Sequence, residues 1–168
     1  MRPCRIILAD DHTLVRQGIK KILEENPDLE VIGEAADGQE AVNLLKKLQP
    51  DLVIFDIQMP RMNGLEAAKM IRERCPAIKI LILTMHKEDE YFRQAREIGV
   101  QGFVFKQDVD LVLLSAVKAI CSGKAFVKPP TGDWINFNTL SSSDLSALIQ
   151  EIKKQRITTM DSNLSPIQ

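Results

Sequence analysis

Five short apolar runs, each followed by a stretch of helical periodicity, constrain the fold of this chain more than any other feature. The runs are Ile6-Ile7-Leu8-Ala9, Leu29 to Ile32, Leu52-Val53-Ile54-Phe55, Ile80-Leu81-Ile82-Leu83 and Phe103-Val104-Phe105. Most are continuous rather than alternating, as in strands buried on both faces of a parallel sheet. Val15, Ile19 and Ile22 mark a first helical face between them, and Ala41, Leu44, Leu45 and Leu48 a second. Leu65, Ala68 and Ile71 mark a third, residues 88–98 a weaker fourth, and residues 108–121 a strongly apolar fifth. Asn26-Pro27, Gln49-Pro50 and Cys75-Pro76 close the first three helices, because proline disfavours helix in the residue before it. Gly99 suits a left-handed cap after the fourth. Such alternation needs right-handed crossovers, which place helices on both faces of a parallel sheet. The reading is a doubly wound α/β domain over roughly residues 3–122.

Composition narrows the function classes. Of 168 residues, 45% are hydrophobic and 27% charged, as in an ordinary folded domain. A net charge of −1 gives no bulk attraction to nucleic acid or anionic lipid. No apolar run approaches the length of a membrane span, and Met1-Arg2-Pro3-Cys4 does not open a secretory signal. No membrane partner is expected. Three cysteines (Cys4, Cys75 and Cys121) are an odd number with no C-x-x-C pair, so reduced thiols in a cytoplasmic protein are expected, without a disulfide framework or zinc site.

In open α/β sheets ligands bind beyond the carboxyl ends of the strands. Asp10 and Asp11 follow the first strand, Asp56 the third, Thr84 the fourth and Lys106 the fifth. Each has a bland reading: Asp10-Asp11 as a helix cap, Asp56 as a turn residue, Thr84 as a capping hydroxyl, Lys106 as a solvated charge. Together they read differently. Three converging carboxylates raise one another's pKa values unless a cation intervenes. Mg²⁺ favours a few oxygen ligands together with waters and a phosphate, and a lysine adds a positive charge for phosphoryl oxygens. The set points to a Mg²⁺-dependent phosphoryl site.

Asp10-Asp11, the segment Asp56-Ile57-Gln58-Met59-Pro60-Arg61-Met62-Asn63-Gly64, Thr84 and Lys106 resemble the motif set of bacterial response-regulator receivers, from about Arg5 to Gly123. Leu8-Ala9-Asp10-Asp11-His12 and Leu83-Thr84-Met85-His86 are similar to receivers that precede a LuxR-type helix-turn-helix, as in NarL- and FixJ-type regulators. The resemblance implies a five-stranded CheY-like sheet of order 2-1-3-4-5. It implies Asp56 as phosphoacceptor, with Mg²⁺ on Asp11, Asp56 and the backbone carbonyl of Gln58, and on Asp10 directly or through water. Lys106 would pair with Asp56 and then with the phosphoryl group, Thr84 would bind a phosphoryl oxygen, and Phe103 would be the switch aromatic that turns inward as Thr84 moves. The implied donor is a sensor histidine kinase or phosphotransfer protein, and the switched face would bind a partner or a second copy of the chain. Turnover of an external substrate is not implied, and Gln58 stands where haloacid-dehalogenase-type phosphatases usually carry a second aspartate. Where many family members have proline after the lysine, this chain has Gln107, so a trans peptide is expected there. His12 and His86 read as surface residues.

The domain reading is a receiver over residues 1–123 and a linker and tail over 124–168. Ser142 or Ser143 would cap one helix, 143–156, whose Leu145, Leu148, Ile149 and Ile152 form an apolar stripe. Lys124 to Leu140, with Trp134 and Phe137, reads as a linker. One helix cannot bury a core of its own, so no output domain is recognisable. The competing reading is the receiver of a LuxR-type transcription regulator whose helix-turn-helix is missing or truncated, and DNA would then be a partner only through a domain outside this chain.

Overall fold

The computed structural model describes residues 2–85, 88–124 and 126–127, together with residues 141, 143, 146, 147 and 150. Five parallel strands, β1 (Cys4–Ala9), β2 (Leu29–Ala35), β3 (Leu52–Phe55), β4 (Lys79–Thr84) and β5 (Gly102–Phe105), alternate with five helices. These are α1 (Thr13–Glu24), α2 (Gly38–Leu48), α3 (Gly64–Arg74), α4 (Asp89–Ile98) and α5 (Val109–Cys121). The order β2-β1-β3-β4-β5 is the expected one, and a two-residue strand, β6 (Phe126–Val127), extends the sheet beyond β5. Residues 126 and 127 therefore depart from the linker reading: Phe126 registers with Gly102 and Val127 with Phe103.

Continuous apolar runs become strands because the sheet has an apolar layer on each face. Ile7, Val53, Phe55, Ile80, Ile82, Phe103 and Phe105 pack toward one layer with Val42, Leu65, Ala68, Ile71 and Phe92. Ile6, Leu8, Ile54, Leu81 and Val104 pack toward the other with Ile19, Leu23, Leu113, Val117 and Ile120. Fully burying one such aliphatic side chain contributes roughly 1.5–3 kcal/mol. A partly exposed ion pair such as Arg16–Glu34 contributes about 0–1 kcal/mol, so the two layers hold the domain together.

Helix ends follow the sequence punctuation. Gly99 closes α4 at φ +86°, and Asn63 caps α3 by accepting from the Glu66 N–H. Asp37 caps α2: its Oδ1 accepts from the Glu40 N–H at 2.8 Å, and Oδ2 lies 2.6 Å from Arg61 Nη2. The cap hydrogen bond and Arg61 hold the Asp37 carboxyl below the ordinary aspartate value of 3.8. A depressed folded pKa gives stability that is present above 3.8 and lost as pH falls through the folded value. Asn caps a helix as well as Asp but carries no charge. In urea unfolding followed by circular dichroism, Asp37→Asn should therefore show a shallower loss of midpoint than the wild type between roughly pH 5 and pH 2. Equal slopes would remove the ionic role of Asp37.

The cysteine expectation needs a correction. Cys4 and Cys121 are joined by a disulfide across 117 positions of sequence, with Cα atoms 6.3 Å apart, and only Cys75 is free. Helices of this fold run antiparallel to the strands, so the end of α5 meets the beginning of β1 at the edge opposite the strand carboxyl ends. Spacing along the chain does not reveal that encounter.

No peptide is cis among the described residues, so Lys106–Gln107 is trans as expected, and Lys106–Asp108 forms a 3-10 turn leading into α5. Ser143, Ser146, Ala147 and Gln150 are helical, within the expected span, and Arg93 of α4 donates to Ser146 Oγ at 3.5 Å. The other residues of the expected 143–156 helix, Trp134 and Phe137 of the expected linker, and His86 lie outside the described residues.

Candidate functional site

The carboxyl ends of β1, β3, β4 and β5 bring the expected groups to one edge of the sheet. Asp10 leaves β1, its N–H donating to Ala35 O of β2, and Asp56 leaves β3 with its N–H donating to Ala9 O. Both carboxyl-bearing residues are buried, at 1% and 5% exposure. Asp10, Asp11, His12 and Asp56 each offer a potential ligand atom, and these atoms lie within 4.8 Å of one another.

Lys106 reaches into this cluster from the start of the 3-10 turn. Its Nζ stands 2.6 Å from Asp10 Oδ2 and 3.1 Å from Asp56 Oδ2. Asp56 Oδ1 accepts from the Ile57 N–H at 2.8 Å, so both carboxylate oxygens have a positively polarised neighbour. Burial nevertheless pushes the Asp56 pKa up; Lys106 opposes the rise, and the charge of Asp10 adds to it. Burial acts to lower the Lys106 pKa, but the hydrogen bond it donates to Asp10 and the charges of Asp56 and Asp10 outweigh it and leave the ammonium raised. The raised Lys106 ammonium expresses a surplus of negative charge around it, whereas the Asp56 shift comes chiefly from desolvation.

That surplus is the test of fit for a divalent cation. The carboxylates of Asp10, Asp11 and Asp56 outnumber the single Lys106 ammonium. The donor set is all oxygen if His12 is set aside, as suits a hard cation such as Mg²⁺. Asp11 and Gln58 line an open cavity of about 640 Å³ beside Asp56 and Lys106. The residues fit the ion.

The remaining expected residues fall as follows. Thr84 ends β4, is fully buried, and registers with Phe105. Phe103 is 2% exposed and stacks on Phe92 of α4, with centroids 4.2 Å apart and planes at 20°; Phe105 meets the same pair. The Phe103 ring is thus inward in this structure. His12 is exposed, as expected, although its Nδ1 lies 3.1 Å from Asp11 Oδ1. Asp10 also keeps part of its bland role, because Oδ1 accepts from the His12 N–H at the start of α1.

Sequence reasoning missed several groups. Met59, Asn63, Met85 and Tyr91 also line the cavity mouth. Arg61, at φ +65°, joins the loop after Asp56 to Asp37, and Gly38 N donates to Met62 O. The available signal was Asp37 standing three residues before Glu40, the spacing of a capping box.

Residues 6–118 match the response regulator receiver domain family. The chain is 38% identical over 126 residues to the transcriptional regulatory protein DegU of Brevibacillus brevis, covering 74% of this chain and 53% of that protein. It is 40% identical over 126 residues to the oxygen regulatory protein NreC of Staphylococcus carnosus, covering 74% and 58%. The chain therefore spans somewhat over half the length of these curated relatives. Among solved structures, a LuxR-family two-component response regulator from Aurantimonas sp. superposes with a TM-score of 0.73 at 34% identity, over 92% of this chain and 99% of that one. The isolated REC domain of RcsB from Salmonella enterica, determined with phosphomimetic BeF3⁻, gives a TM-score of 0.71 at 32% identity, over 76% and 94%. By the extent of the family match, the identity to its relatives and the shared fold, this chain belongs to the response-regulator receiver family, among those of LuxR and NarL type.

Proposed function

We propose that the chain accepts a phosphoryl group on Asp56 from a sensor histidine kinase or phosphotransfer protein and thereby changes the surface around β5 and α4. The observation that carries this reading is the buried Asp56 carboxylate held 3.1 Å from Lys106 within the Asp10–Asp11 cluster. An Asp56 oxygen forms the bond to phosphorus while the donor's P–N bond breaks, and the departing imidazole nitrogen takes up a proton from solvent. Carboxylate attack relies on positioning and charge neutralisation rather than on a strong nucleophile. The hydrogen bond from the Ile57 N–H fixes the carboxylate plane. Lys106 follows the negative charge from Asp56 to the phosphoryl oxygens, and Thr84 supplies a hydroxyl to one of them. Mg²⁺, held by Asp10, Asp11, Asp56 and the Gln58 carbonyl, would supply the remaining neutralisation.

Phe103 couples the site to its surroundings because it stacks on α4 at one end of β5 while Lys106 stands at the other. A second copy of the chain is a further proposed partner for the surface around β5 and α4. No helix among the described residues is long and apolar enough to cross a membrane. DNA contact is proposed only if an output domain exists outside this chain.

The test is incubation of the full chain with Mg²⁺ and acetyl phosphate, followed by intact mass. One phosphoryl group should be gained. Removing the ion with EDTA should slow the gain at least a hundredfold, about 3 kcal/mol of transition-state stabilisation. No gain by a protein whose circular dichroism is native would overturn the reading.

A further inference from the structure

We propose that Cys4 and Cys121 form a reversible thiol–disulfide site, a redox modification site on the edge of the sheet opposite Asp56. The two sulfurs are bonded across the junction between the first strand and the last turn of α5. Both residues are only partly buried, and both line an open cavity of about 680 Å³ that Arg2, Lys79 and Lys118 also line. A small thiol or disulfide can therefore reach the bond. The thiolate is the form that attacks a disulfide.

The backbones on either side are held by contacts independent of sulfur. Lys79 Nζ donates to the carbonyls of Ile120 at 2.8 Å and Cys121 at 3.4 Å, which ties the end of α5 to β4. Cys4 N donates to Asp28 O at 2.8 Å, and Cys4 registers with Leu29 of β2. Reduction accordingly leaves the two thiols within reach of one another. Cys75 has no such partner and serves as an internal control.

The oxidant is a low-molecular-weight disulfide. One cysteine thiolate attacks a sulfur of that molecule, whose S–S bond breaks, and one small thiolate leaves and takes up a proton. The other cysteine thiolate then attacks the protein sulfur of the mixed disulfide, forming the Cys4–Cys121 bond and releasing the second small thiol. Two protein thiols are oxidised, one small disulfide is reduced to two thiols, and the protein loses two hydrogens. The chain leaves α5 at Ser122, immediately after Cys121, and returns to the sheet at β6. Oxidation would therefore pin the exit of the chain from the receiver to its first strand.

The experiment uses the full chain, reduced and then equilibrated with oxidised and reduced glutathione at a series of ratios. Acid-quenched intact mass should show loss of two hydrogens in one step, reversed by excess reduced glutathione. Peptide mapping should join Cys4 to Cys121 while Cys75 remains open to alkylation. The oxidised form should melt roughly 10 °C above the reduced form, because the bond closes a ring of more than a hundred residues. Cys4→Ser and Cys121→Ser should each lose that difference and stop at a single glutathione adduct. Both cysteines staying open to alkylation in a natively folded chain, separate adducts on each, or a bond that reduced glutathione cannot reverse would each overturn the proposal.

Discussion

Asp56→Asn should abolish phosphoryl gain from acetyl phosphate while leaving the domain at least as stable as the wild type. Loss of function follows from the amide, which is no nucleophile toward phosphorus and cannot carry the charge that holds a divalent cation. The effect on stability follows from burial. The Asp56 pKa is raised, chiefly by desolvation, so at neutral pH its ionised form weakens the fold relative to the neutral one. Asn retains an oxygen to accept the Ile57 N–H, and Lys106 retains Asp10 at 2.6 Å. Counting Asp10, Asp11, Asp56 and Lys106, the cluster falls from two net negative charges to one. The unfolding free energy from urea titration should stay level or rise by up to about 1 kcal/mol in metal-free buffer. Mg²⁺ should raise the wild-type midpoint and leave that of the variant nearly unchanged, because only the former gains by binding. A variant that still gains a phosphoryl group would remove Asp56 as acceptor. One that loses several kcal/mol would show that the carboxylate holds the site together rather than straining it.

What the sequence disclosed and what it withheld divide along a physical line. Strands buried on both faces must be apolar throughout, so Leu52 to Phe55 and Ile80 to Leu83 announced themselves. Residues at the carboxyl ends of such strands must share an edge, so the strand order alone brings Asp10, Asp56 and Lys106 together. Contacts between elements that the topology brings together at the other edge leave no periodic trace. Cys4 and Cys121 meet only because α5 runs back along the sheet, and counting cysteines pointed the wrong way. Arg61 meets Asp37 because a left-handed residue turns the β3–α3 loop toward α2. β6 is two residues long, too short for a period-2 pattern to register.

Gly64 shows how a residue read only as part of a motif sets the geometry of the site. It begins α3, and its N–H donates to Ile57 O at 2.8 Å, which folds the loop after Asp56 back on itself. A Cβ placed there would stand 1.9 Å from the carbonyl oxygen of Asp56 and 2.9 Å from the carbonyl carbon. The opposing atoms are backbone, so no rotamer change relieves the clash. Gly64→Ala must displace either the start of α3 or the end of β3, which Ala9 and Asp56 tie to β1. Overpacking against fixed atoms costs about 1–3 kcal/mol, and this contact belongs at the upper end. A displacement on the order of 1 Å at a reacting group costs about a hundredfold in rate, so phosphoryl gain should slow by a similar factor. Gly18→Ala is the matched control: it lies within α1, where a Cβ meets nothing within 4 Å, and should stabilise by up to about 1 kcal/mol with phosphorylation unchanged. If Gly64→Ala instead melts and reacts like the wild type, α3 can shift without moving Asp56, and the nucleophile is positioned by β3 and Lys106 alone.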